Sequence, residues 1–251
     1  MASTEQPKPA STHTKSRNAA VSTPMDDGDF ERATRGFIAS YPGGRINDPS
    51  GRMVTDTNRY DFIRQSPEAP DTVNPSLWRH ARLNANHGLF EVADGVWQVR
   101  GYDISNITFI KGTEGWVVID PLTTEATARA SYELITSHLG HRPVTGVIYT
   151  HSHADHFGGV LGVTTQAEVD AGRCRVIAPV GFLHETVGEN VIAGPAMNRR
   201  STYQFGPLLP AGPTGHVDCG LGNSVPLGPP GLIAPTEDIT FTGEELVVDG
   251  V

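Results

Sequence analysis

The chain has 251 residues and a formal net charge of −9, with 28 acidic residues against 19 lysines and arginines. This length is enough to bury a sizeable core, and the acidic balance disfavours binding to nucleic acids or to anionic membrane surfaces. The longest apolar run is far shorter than the roughly 20 residues that cross a bilayer, so we expect no membrane span. The two cysteines form no CxxC pair, which argues against a disulfide scaffold or a cysteine zinc site.

Residues 1–28 are dominated by small and polar side chains that offer almost nothing to bury. Such a stretch cannot offset the entropy lost on ordering, so the sequence predicts a disordered tail. It contains no apolar segment of the kind found in secretory signals, and we therefore expect a cytoplasmic protein. Residues 29–89 mix aromatics with Pro and Gly without a sustained period, which favours an irregular N-terminal arm with one short helix near residues 75–84.

Regular patterns begin in the third segment, residues 90–251. Apolar runs bounded by glycine predict three successive strands at residues 95–100, 104–111 and 115–120, followed by a helix at residues 124–139. The remaining predicted elements are a strand at 144–149, a helix at 158–169, a strand at 175–179, Gly- and Pro-rich loops at 206–235, and two strands within 239–248 that turn at residues 242–244. This alternation of strands and helices predicts an α/β layered domain.

One cluster of residues carries a strong chemical signal, namely His151, His153, Asp155 and His156 directly after a predicted strand. Alternate residues of an extended segment point the same way, so these imidazoles and the carboxylate can converge. Imidazole nitrogen and carboxylate oxygen suit zinc. Four such residues within six positions exceed what a single segment gives one tetrahedral ion, which indicates a two-metal site rather than a solvated His-rich loop.

The sequence around this cluster resembles the metallo-β-lactamase superfamily, whose signature is HxHxDH at the end of a strand in an αββα sandwich. Further motifs resemble its alkylsulfatase branch, and the resemblance covers roughly residues 30–250. These motifs lie at residues 74–79, 87–90, 99–103, 115–122 and 150–159, and in a stretch that runs from residues 188–191 to residues 199–200.

The resemblance implies a binuclear zinc centre that hydrolyses alkyl sulfate esters. His151 and His153 would ligate one ion, and Asp155 and His156 the other, with Asp155 also accepting a proton or hydrogen bond from the attacking water. Members of the branch complete the centre with later glutamates and a further histidine, and they dimerise through a later region. We therefore expect the N-terminal half of the sandwich plus the arm, and a 251-residue chain that is a poor catalyst by itself.

Other residues are candidates for smaller roles. Asp120 is either an outer partner of a ligand histidine or a turn residue before a proline. His216 could serve as a further ligand, although a loop histidine is the default interpretation. His184 is best read as a surface helix residue, and Arg199 and Arg200 favour salt bridges over sulfate binding.

Two alternatives to an alkylsulfatase remain open from the sequence. The same HxHxDH segment would suit another hydrolase of the superfamily, acting on a thioester or a lactam. A non-catalytic metal-binding fragment is the second alternative, because the later ligands are not among the matched positions. Metal stoichiometry separates this alternative from the enzymes.

Overall fold

The computed structural model describes residues 8–21 and 28–251. Its helices are α1 (Thr12–Ala19), α2 (Gly28–Thr34), α3 (Asp61–Arg64), α4 (Pro75–Asn84), α5 (Glu125–Leu139), α6 (Ala154–Phe157), α7 (Gln166–Asp170), α8 (Phe182–Val187) and α9 (Gly194–Phe205). Its strands are β1 (Phe37–Ala39), β2 (Arg45–Asn47), β3 (Met53–Asp56), β4 (Gly88–Ala93), β5 (Val96–Arg100), β6 (Ile107–Lys111), β7 (Trp116–Ile119), β8 (Val144–Ile148), β9 (Arg175–Pro179) and β10 (Glu237–Ile239). None of the helices in these described ranges is both long and apolar enough to cross a membrane.

A mixed sheet of eight strands forms the centre of the fold, in the order β1-β4-β5-β6-β7-β8-β9-β10. Strands β4 to β7 form an antiparallel meander, whereas β7, β8, β9 and β10 are parallel neighbours. Parallel strands need crossover connections, which helices supply here. This mixed α/β architecture confirms the predicted fold class.

Helix α5 covers one face of the sheet and forms where the sequence predicts it. The side chain of Thr124 accepts a hydrogen bond from the backbone N–H of Thr127, which caps the first turn. The helix ends at Gly140, whose φ of 87° favours glycine. Leu134 and Ile135 of α5 are buried in the main core together with Phe109 and other sheet residues. The helix thereby fixes the loop that precedes it, at the edge of the sheet where the site lies.

The predicted arm contains more regular structure than the sequence indicates. Helix α4 lies at the predicted residues, capped by Asn74 and opened by Pro75. However, β1 pairs with β4 of the main sheet, and β2 and β3 form a separate hairpin. Very short strands carry too few residues to show a period, which explains why the sequence does not reveal them.

The predicted tail falls partly outside the described residues, and its disorder stays a prediction. Within it, α1 has no buried residue. Its contacts to the arm include an ion pair of 2.8 Å between Lys15 and Asp71 and a hydrogen bond from the Asn18 side chain to the Asp71 carbonyl.

Two predicted elements are wrong. Residues 158–169 do not form one helix but a 3₁₀ turn, Val160–Gly162, followed by α7. The cause is close packing of this segment against the backbone that leads into α5. Residues 240–248 form no strand, because Asp249 accepts hydrogen bonds from the backbone of Glu114 and Gly115 and so holds the segment against the β6–β7 turn.

Candidate metal centre

The segment 151–156 lies at the carboxyl edge of the sheet, immediately beyond β8. Strand β7 runs parallel beside β8, so the residue that follows it, Asp120, reaches the same edge. Tyr149, which lies between β8 and the segment, is buried, and its hydroxyl donates a hydrogen bond to the carbonyl of Ile233. The pairing with β7 and the hydrogen bond of Tyr149 therefore hold the end of β8 in place before the segment begins.

The four predicted ligand residues lie together. The ring centroid of His151 is 4.7 Å from that of His153 and 4.1 Å from that of His156. The Oδ2 atom of Asp155 is 3.2 Å from Nε2 of His156. Across residues 8–21 and 28–251, however, no three His, Cys, Asp or Glu side chains are arranged so that they could hold a metal ion as they stand. Asp155 and His156 contact each other directly.

The electrostatics of this pair follow from burial and from mutual contact. Burial opposes the charged form of His156, but its hydrogen bonds to Asp120 and Asp155 outweigh that effect and raise its pKa to about 9. Burial likewise opposes the charge on Asp155, yet the contact with His156 lowers the pKa of that carboxyl. Burial and the neighbouring histidines lower the pKa of His151, which favours its neutral form.

Asp120 orients the segment from the neighbouring strand. Its carboxylate accepts hydrogen bonds from the backbone N–H of Thr150 at 2.9 Å, from the Thr150 hydroxyl at 2.8 Å and from Nδ1 of His156 at 2.8 Å. Asp120 itself has a φ of 54°, in the left-handed region that Asp tolerates better than most residues. Of the two interpretations of this residue, the structure places it as the partner of a histidine.

The hydrogen bonds also define which nitrogen of His151 is free. The Thr150 hydroxyl has one proton, and it donates this proton to Asp120. Its oxygen therefore accepts from Nδ1 of His151, 3.0 Å away. The Nε2 lone pair of His151 remains available, whereas Nε2 of His156, which Asp120 does not hold, lies 3.2 Å from Oδ2 of Asp155. Imidazoles oriented by outer partners are the usual donors to zinc, so the donor set fits such an ion by its chemistry.

A buried loop supports the segment from the other side. The hydroxyl of Ser105 donates to the backbone carbonyl of Asp155. Two residues earlier, the buried carboxylate of Asp103 accepts hydrogen bonds from the side chains of Thr123 and Thr127, at 2.7 and 2.9 Å. Burial raises the pKa of Asp103 to about 6. This loop thereby ties the segment to the start of α5.

The remaining candidate residues lie elsewhere. The ring of His216 is buried between Tyr60 and Cys219, with Nδ1 2.9 Å from the tyrosine hydroxyl and Nε2 3.6 Å from the thiol. It borders a cavity of about 410 Å³ whose lining contains none of the residues 151–156. His184, Arg199 and Arg200 are exposed on α8 and α9. Both cysteines are free.

The structure adds a carboxylate that the sequence analysis does not single out. The Oε1 atom of Glu189 lies 3.5 Å from Nε2 of His153. Glu189 belongs to a π-helical turn, Gly188–Ile192, between α8 and α9. The only sequence signal at this position is its place within one of the motifs that carry the family resemblance.

Comparison with known proteins gives one family match and several close relatives. Residues 100–241 match the family described as the metallo-beta-lactamase superfamily. A linear primary-alkylsulfatase of Pseudomonas sp is 47% identical over 250 residues, which is 98% of this chain and 37% of the relative. The alkyl/aryl-sulfatase BDS1 of Saccharomyces cerevisiae is 51% identical over 227 residues, which is 90% of this chain and 35% of the relative.

A solved structure is similar over nearly the whole chain. The stereoselective inverting sec-alkylsulfatase Pisa1 from Pseudomonas sp. superimposes with a TM-score of 0.91 at 44% identity, covering 98% of this chain and 39% of the other. The chain thus spans little more than a third of the length of the relatives that it matches.

Proposed function

The chain belongs to the metallo-β-lactamase superfamily, and on that premise we propose that it carries part of a zinc-dependent centre that hydrolyses alkyl sulfate esters to an alcohol and sulfate. The observation that carries the proposal is the convergence of His151, His153, Asp155 and His156 at one strand end. The similarity to alkylsulfatases across nearly the whole chain supports this substrate class over thioesters and lactams.

In this proposal His151 and His153 hold one zinc ion, and Asp155 and His156 hold a second. Bound zinc would lower the pKa of an attacking water and stabilise negative charge on the sulfate oxygens. The ionised carboxylate of Asp155 accepts a hydrogen bond from that water and orients it toward sulfate. Asp120 keeps the ring of His156 fixed while this occurs.

The proposal also includes the organisation of the chain. Residues 1–28 form a tail, 29–89 an arm and 90–251 the metallo-β-lactamase-like domain. A homodimer, as the family resemblance implies, would form through a region outside this chain. Two protein ligands per ion are fewer than the three that hold a catalytic zinc. We therefore propose that the chain alone turns over alkyl sulfates slowly.

Metal content tests the centre directly. The double variant His151→Ala/His153→Ala should lose at least one equivalent of zinc relative to the unmodified chain. The control His13→Ala/His184→Ala removes two exposed histidines from α1 and α8 and should retain full zinc content. Equal zinc in both double variants would contradict the site.

Sulfate release tests the reaction. Dodecyl sulfate below its micellar concentration, with zinc added, should give release far below about 1 per second, and Asp155→Ala should abolish it. Preferential hydrolysis of a thioester or a β-lactam would favour another hydrolase of the superfamily. Tight zinc binding with no hydrolysis of any of the three would favour a metal-binding fragment.

A further inference from the structure

We propose that Glu189 is a positioning residue of this centre, whose carboxylate accepts a hydrogen bond from Nε2–H of His153 and thereby directs Nδ1 of that ring toward the metal. This inference rests on the proposed function, because it gives a role to a residue beside the candidate zinc ligands. It adds a contribution from the α8–α9 region, which the HxHxDH segment does not include.

Two adjacent residues of the π-helical turn reach two adjacent residues of the 151–156 segment. Glu189 Oε1 lies 3.5 Å from His153 Nε2. Asn190 donates from Nδ2 to the carbonyl of Thr186 at 3.0 Å and to that of Ser152 at 3.5 Å. The Glu189 side chain is 26% exposed, against 58% for His153. The carboxylate is therefore half-buried against the segment, unlike a solvated surface charge.

Glu189 is the second residue of the π-helical turn between α8 and α9. Here the backbone N–H of Ala193 donates to the carbonyl of Gly188, five residues earlier, which widens the turn. Glu185 is exposed, whereas Glu189 is partly buried. π-Helical turns are rare and frequently lie at functional sites.

The three histidines then share one pattern. Thr150 holds Nδ1 of His151, and Asp120 holds Nδ1 of His156. Glu189 is the outer partner that lies against Nε2 of His153. Each ring has a second nitrogen that its outer partner does not hold, and a ligand histidine almost always donates its other N–H to a carboxylate, carbonyl or water.

Zinc affinity is the first measurement, by competition with a chromogenic chelator. Glu189→Ala should weaken zinc binding about 10-fold or more, the range for loss of such a partner. Glu189→Gln should restore most of the affinity, because its amide oxygen still accepts from Nε2–H. The control Glu185→Ala removes an equal charge one turn away and should leave the affinity unchanged. Equal affinity for Glu189→Ala and the unmodified chain would overturn the proposal.

Long-range ¹H–¹⁵N spectra of the His153 ring provide the second measurement. With zinc bound, Nδ1 should carry the metal signature and Nε2 the proton. Zinc on Nε2 would overturn the proposal and would instead suit Glu189 as a direct ligand. Thermal unfolding of each variant shows whether it is folded, and Glu189→Gln provides the comparison if the alanine variant unfolds.

The two proposals can fail separately. If the His151→Ala/His153→Ala variant binds as much zinc as the unmodified chain, the proposed function is contradicted. The metal-free protein still tests Glu189, because Nε2 of His153 should carry the proton and Glu189→Ala should raise the population protonated at Nδ1. An unchanged ratio of the two tautomers would overturn the positioning role whatever the zinc result.

Discussion

Asp120 and His156 are joined by a hydrogen bond of 2.8 Å between Oδ2 and Nδ1, although one follows β7 and the other lies in α6. The same carboxylate holds both the backbone and the side chain of Thr150. One residue therefore fixes the entrance to the 151–156 segment and the orientation of its last histidine. Parallel pairing of β7 with β8 brings these groups together.

Replacement of this carboxylate should weaken the metal centre. We expect Asp120→Asn to reduce zinc affinity by about 10- to 100-fold, because an amide is a weaker acceptor for Nδ1–H and for the Thr150 groups. Asn also tolerates the left-handed backbone at this position. The control Asp170→Asn lies at the end of α7 and is exposed. Chelator competition measures the effect, and equal affinities for both variants would refute the role of Asp120.

Close packing behind the segment gives a prediction about stability. A Cβ atom on Gly159 would lie 2.1 Å from the carbonyl oxygen of Pro121, whereas one on Gly194 would meet no atom within 4 Å. We expect Gly159→Ala to lower the free energy of unfolding by about 1–3 kcal/mol through overpacking. Gly194→Ala lies within α9 and should be neutral or stabilising. The free energies of unfolding of the two variants are compared by urea denaturation. An unchanged value for Gly159→Ala would show that the backbone near Pro121 can shift to accept the added methyl group.

His87 should make the fold sensitive to mild acid. Burial, with a contribution from Arg64, lowers the pKa of His87 to about 4, whereas an unfolded chain has a histidine pKa of about 6.5. Between these values the unfolded chain binds a proton that the folded chain does not, so stability falls as pH decreases through this window. The contribution is fully present above about pH 6.5.

We expect His87→Asn to reduce the loss of stability between pH 7 and pH 5 by at most about 2 kcal/mol. The midpoints of urea unfolding at the two pH values measure this loss of stability. The control His13→Asn alters an exposed histidine on α1 and should show the same pH dependence as the unmodified chain. A His87 variant with that same dependence would contradict the prediction.

Removal of residues 1–28 should have little effect on stability. Helix α1 buries no residue, and its ion pair to Asp71 joins side chains that are 42% and 61% exposed. Such pairs contribute about 0–1 kcal/mol, so the thermal midpoint should change by less than about 3 °C. Removal of residues 1–36 also deletes Phe30, whose ring lies 4.8 Å from the Arg82 guanidinium, and should lower the midpoint further. A large drop in the thermal midpoint after removal of residues 1–28 would show that this segment packs against the rest of the protein.

The sequence by itself determines the ligand types and their local spacing. Segment 151–156 follows closely on a strand, and alternation places His151 and His153 on one side of an extended stretch, whereas Asp155 and His156 lie in α6. Helix α5 is equally predictable, because its cap, its apolar spacing and its terminal glycine are all local signals. The meander before it follows from its three apolar runs.

Only the tertiary structure decides which residues far apart in the chain meet at that segment. The choice between a turn residue and a histidine partner at Asp120 depends on the pairing of two strands. Glu189 lies 3.5 Å from His153 at the start of a π-helical turn, an element that no local pattern predicts. His216 lies against Tyr60 instead of the centre. Spacing reports geometry over a few residues, whereas these contacts depend on how whole elements pack, and packing is a property of the folded chain.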